Sequence, residues 1–109
     1  MTLTKNHIGS SGKTVVGNIR ALRGMQSLNY TQLSSRIADE GRLISAVGVR
    51  RIEALERRID VDDLTAIAAA LNTTPTALLN EDAADHYRRD CLRWLLAEDN
   101  HHNATEVIQ

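Results

Sequence analysis

Phenylalanine is missing from this 109-residue chain, and only one Trp and two Tyr take its place. The core must therefore be aliphatic. Ala and Leu dominate the patterned segments, which favours helix over strand. The one cysteine, Cys91, excludes an internal disulfide and a cysteine-based zinc cluster. No apolar run approaches the ~20 residues needed to cross a bilayer, so no membrane partner is expected. The first five residues carry no signal-peptide core, which makes the cytoplasm the default location. No phosphate-cradling glycine loop, catalytic carboxylate pair or nucleophile–histidine arrangement stands out, so neither enzymatic activity nor a cofactor is expected. At this length, 42% apolar and 25% charged residues fit one globular domain.

Charge is nearly balanced overall at −1, but it is unevenly placed. Residues 13–58 hold Lys13 and eight Arg against four acids, a net of +5. Residues 60–109 hold three Arg against ten acids, a net of −7, and Lys5 completes the sum. A chain with a basic and an acidic half can turn one face toward phosphate.

The polar residues 1–13 are expected to be a flexible arm. Val15, Val16, Ile19 and Leu22 share one helical face and predict a first helix to about Met25. Asn29 is a good N-cap for a second helix with Leu33 and Ile37 buried and Ala38 beside them. Asp39-Glu40-Gly41-Arg42 makes a turn. Ile44 plugs the core, and Ser45 caps a third helix from about Ala46 to Leu55 or beyond, with Val49 and Ile52 inward. Asp60 caps a fourth helix, with Asp62 and Asp63 in its first turn, where acids suit the helix dipole. Val61, Leu64, Ile67, Ala68 and Leu71 are its expected buried face. Thr74-Pro75 opens a fifth helix anchored by Leu78 and Leu79. A last amphipathic helix is expected over about 82–97.

Leu22-Arg23, Leu28-Asn29-Tyr30-Thr31-Gln32-Leu33, Val49-Arg50-Arg51-Ile52-Glu53 and Arg57 through Leu64, with Ile67-Ala68 and Leu71, resemble one known family. It is the Cro and lambda-repressor-like helix-turn-helix domain, or XRE family, in versions common in actinobacteria and their phages. The resemblance covers residues 15–79. It implies an all-α, five-helix DNA-binding domain over 14–80, with an additional C-terminal helix over 81–98 and a tail over 99–109. Two departures stand out. The family carries Gly two residues after the glutamate, where this chain has Leu55. Ala54-Leu55-Glu56 are good helix formers that would let helix three run a turn further. The segment between helices two and three, Ala38 to Ile44, is also longer than the family's tight turn.

The resemblance implies a double-stranded DNA operator in a bacterial or phage-infected cell, read by helix three in the major groove. Ala46, Val47 and Arg51 fall at the principal base-reading positions, with Gly48 and Arg50 beside them. Arg can span guanine O6 and N7, whereas Ala46 and Val47 can make only apolar contacts, for which thymine methyls are the natural partner. A helix-interior Gly48 costs ~1 kcal/mol, which suggests a close backbone approach to DNA. Asn29, Tyr30, Gln32, Arg42, Ser45, Arg57 and Arg58 are the expected phosphate contacts. Arg23 and Glu53 are implied to pair between helices one and three.

On the last helix, Ala84, Tyr87, Cys91 and Trp94 form an apolar seam, widened by Leu95, that either joins two copies in a homodimer or completes the monomer core. A dimer would set two reading helices ~34–36 Å apart. His101-His102 lack further ligands at sensible spacing, so no metal is expected. Asn103-Ala104-Thr105 matches a glycosylation pattern without a secretory context. No small-molecule effector is evident. The function implied is a transcriptional regulator, most simply a phage immunity repressor or Cro-like protein that blocks polymerase. The competing reading is an antitoxin or other interaction module whose acidic C-terminal half binds a basic partner protein.

Overall fold

A computed structural model describes residues 7–82 of the chain. They form α1 (Ser10–Met25), α2 (Tyr30–Asp39), α3 (Ala46–Glu53), α4 (Val61–Ala70) and α5 (Pro75–Leu78), with no strand among the described residues. None of these helices is long and apolar enough to cross a membrane. The expected last helix, with Tyr87, Cys91, Trp94 and Leu95, lies outside the described residues.

Four of the five described helices begin on a residue whose side chain caps them. Asn29 and Asp60 form full capping boxes with Gln32 and Asp63. Ser45 and Thr74 accept from the amides of Gly48 and Ala77. α1 begins without a side-chain cap, at Gly9, and earlier than the sequence suggests. Residues 10–13, read as part of a flexible arm, are its first turn. Ile8 explains the difference: its Cγ2 lies 2.6 Å from where a Cβ on Gly12 would stand, so an apolar side chain closes over a glycine.

The first four helices end alike. Ser27, Gly41, Leu55 and Asn72 all have positive φ, and paired backbone hydrogen bonds close the last turn over each. At α3 the bonds run from Leu55 N–H to the Ile52 carbonyl (3.1 Å) and from Glu56 N–H to the Arg51 carbonyl (2.9 Å). Helix three therefore stops at Glu53 and does not extend past Leu55. The chain turns where the resemblance places Gly, and does so with a leucine at φ 62°. A left-handed residue with a Cβ is strained by about 1–2 kcal/mol. Leu55 is 42% exposed and recovers little of this by burial. Leu55→Gly should accordingly stabilise the chain by about 1 kcal/mol; an unfolding midpoint that stays put or falls would contradict the cap.

α2 packs on α3 and α4, while α1 packs on α3 and α5. Ile19, Leu33, Ile37, Ile52, Ile67, Leu71 and Leu78 are the largest apolar side chains closed off from solvent at the centre. Each contributes about 1.5–3 kcal/mol by burial. Three apolar expectations are corrected. Val61 and Leu79 are exposed at 76% and 47%, and Ala38 is also exposed. At the start of α4 the inward place belongs instead to Asp63, which its capping role and two arginines draw beneath the surface. Asn18 is an unexpected core residue: its Nδ2 donates to the Leu78 carbonyl at 2.7 Å and ties α1 to the end of α5.

Candidate nucleic-acid interface

α3 has one inward and one outward face. Val49, Ile52 and Glu53 are buried, while Val47, Arg50, Arg51 and Ala54 are exposed at helical spacing. Ala46 and Gly48 are partly exposed. Ile44 is buried just ahead of the helix, and its carbonyl accepts a 2.5 Å hydrogen bond from the Ser34 hydroxyl of α2. The start of α3 is thus pinned to α2 through Ile44.

The other end of α3 is held by charge. Arg23 of α1 grips both carboxylate oxygens of Glu53, Nε to Oε2 at 2.5 Å and Nη2 to Oε1 at 2.9 Å. Its Nη1 donates to the Leu28 carbonyl at 2.8 Å, and its guanidinium lies over the Tyr30 ring at 4.6 Å. The hydrogen bond to Glu53 holds the Arg23 guanidinium above its ordinary pKa. Arg20, exposed on α1, stands 3.9 Å from the same carboxylate. A buried acid with two cations on one side fixes the rotation of α3 about its own axis.

A second network ties the turn after α2 to the start of α4. Arg42 donates to Asp63 (2.8 Å) and Asp60 (2.7 Å), and Arg57 reaches within 3.7 Å of Asp63. Arg57 also has a buried Nη1 without a hydrogen-bond partner. Arg42 and Arg57, expected at phosphates, thus have acidic partners within the fold. Arg42 is spent on acids as a brace, and Arg57 is half-buried beside one of them rather than projecting freely. The Asp60 carboxylate is held below its usual range, first by the hydrogen bond from the Asp63 amide and then, against desolvation, by the charge of Arg42. A lowered folded-state pKa contributes stability above the unfolded value of about 3.9, lost as pH falls through the folded value. Asp60→Asn, which keeps the cap, should therefore flatten the acid side of the stability curve below about pH 4. An unaltered curve in acid titrations of the unfolding midpoint would remove Asp60 from that role.

Other proposed phosphate contacts are partly occupied too. Asn29 and Gln32 satisfy each other's amides, at 2.7 and 2.9 Å, while staying on the exposed side of α2. Tyr30 is half-buried as the platform beneath Arg23. Ser45 caps Gly48 at 3.0 Å, and Arg58 is exposed. Gly48 is explained differently from expected. A Cβ there would meet Ile44 Cγ2 at 2.9 Å and Ser45 Oγ at 3.4 Å. The glycine lets the core plug fold against its own helix, so no close approach of DNA backbone is needed to account for it.

Beside α3 lies an open groove of about 580 Å³, lined among others by Leu43, Val47, Gly48, Arg51 and Arg57. Leu43 escapes sequence reasoning. Leu43-Ile44 offers two apolar neighbours of which one fills the core, and the pattern alone does not name the one left outside.

No family model matches the chain, no curated protein is similar to it, and no solved structure matches it. The described residues define a small all-helical unit that presents one short helix bearing two exposed arginines.

Proposed function

We propose that this chain is a sequence-specific double-stranded DNA-binding regulator of the lambda-repressor-like class, with α3 entering the major groove. One observation carries the reading. α3 is locked by buried Glu53 and Ile44, and its opposite face offers Val47, Arg50 and Arg51 to whatever approaches. Such effort to fix a helix whose outer face is exposed among the described residues suits a rigid reading head. The +5 charge of residues 13–58 supplies the matching field. Val47 and Arg51 read base edges, Arg50 stands beside them, and Asn29, Gln32, Ser45 and Arg58 flank the phosphates. In this reading the chain occupies an operator and blocks polymerase.

Selection from a random duplex pool tests the reading. The wild-type chain should enrich a defined sequence, with affinity falling steeply as salt rises. Arg51→Ala should then cost about 1–3 kcal/mol of specific binding and relax preference at one base pair. Failure to enrich any sequence would sink the DNA reading and favour a protein partner; enrichment unchanged by Arg51→Ala would remove Arg51 as a reader.

A further inference from the structure

Leu43 is the most exposed large apolar side chain among the described residues, at 88%. Ile44 takes the inward position next to it, so Leu43 is directed out at the entrance to α3. Together with Val47, itself 53% exposed, it lines the groove that also holds Arg51 and Arg57. The groove thus joins an apolar end at the start of α3 to a cationic side farther along.

A purely apolar partner segment would gain nothing from the exposed Arg51 guanidinium, and a purely acidic one nothing from the two aliphatic side chains. Duplex DNA presents both features. Its backbone is anionic, and thymine C5-methyl is the one apolar group on its major-groove base edges. We infer that Leu43 and Val47 together form a thymine-methyl reader, so that the bound half-site places thymine at the entrance to α3. This inference rests on the DNA-binding reading above and adds to it a residue outside the helix. Leu43 fixes specificity from the turn, by shape alone, with no hydrogen bond to give.

Replacing thymine by deoxyuridine, one position at a time in the selected duplex, removes that methyl and leaves every hydrogen-bonding group in place. Wild-type affinity should fall about threefold to fivefold at one or two adjacent positions, the effect of one buried methyl group. In Leu43→Ala that loss should shrink toward onefold, while affinity for the deoxyuridine duplex stays near wild type. The exposed position of Leu43 keeps the core intact in this variant, and matching circular dichroism melts would verify it. A selected site without thymine at any position sensitive to Leu43→Ala, equal binding of thymine and deoxyuridine duplexes, or an equal methyl effect in wild type and Leu43→Ala would each overturn the inference while leaving DNA binding standing. No selected sequence at all would bring down both.

Discussion

Glu53→Ala should destabilise the fold by about 3–5 kcal/mol, the cost of breaking one side of a buried ion pair. The Glu53 side chain is 3% exposed and holds two hydrogen bonds from Arg23, whose own side chain is 20% exposed. Removing the carboxylate strands a guanidinium in a site made for a neutral sum. Domains of this size are held together by about 5–15 kcal/mol, so much of the reserve would go. Glu53→Gln keeps the volume and one acceptor and should cost less. Pairing Arg23→Met with Glu53→Leu should recover part of the loss, since replacing both ions with apolar groups is often nearly neutral. Recovery will be incomplete because the Leu28 carbonyl loses its donor in that variant. Denaturant midpoints at constant slope measure all three. A loss under 1 kcal/mol for Glu53→Ala would mean the pair behaves as a surface contact and does not anchor α3.

Asp63→Ala should cost about 3 kcal/mol, through a lost charge-assisted hydrogen bond and half a capping box. Asp63 is 2% exposed, accepts from Arg42 Nε and from the Asp60 amide, and stands near Arg57. Without it Arg42 keeps only the exposed Asp60, and Arg57 loses the nearest charge to its half-buried guanidinium. Asp62 occupies the same turn but is exposed. Asp62→Ala should therefore shift stability by only a few tenths of a kcal/mol. Equal effects at the two positions would show that only the helix dipole acts there, and that the arginine network is incidental.

The helix starts were readable because single side chains make them. Asn29, Ser45, Asp60 and Thr74 each announce a helix from their own chemistry and the residues just after. The aliphatic stripe of α1 and the plug at Ile44 were readable for a similar reason, since periodicity states them locally. Leu55 was not. Its propensity favours continuing the helix, whereas the chain reverses there at φ 62° and closes on the backbone bonds to Ile52 and Arg51. Asp63 and Asn18 escaped because a polar residue enters a core only when distant partners satisfy it, here Arg42 and the Leu78 carbonyl. Arg42 and Arg57 escaped in the same way: composition marks them as cations but does not say that acids within the fold have already engaged them.

α3 has eight residues and so spans about 12 Å of axis. A rod of that length can spell out a word of roughly three or four base pairs. Words so short recur by chance throughout any genome, which offers on the order of a million or more competing addresses. A reader built on this helix acquires a unique address only when two such words are joined at fixed spacing. On the proposed DNA-binding reading, the short span of α3 would make the arrangement of copies along the duplex part of the message.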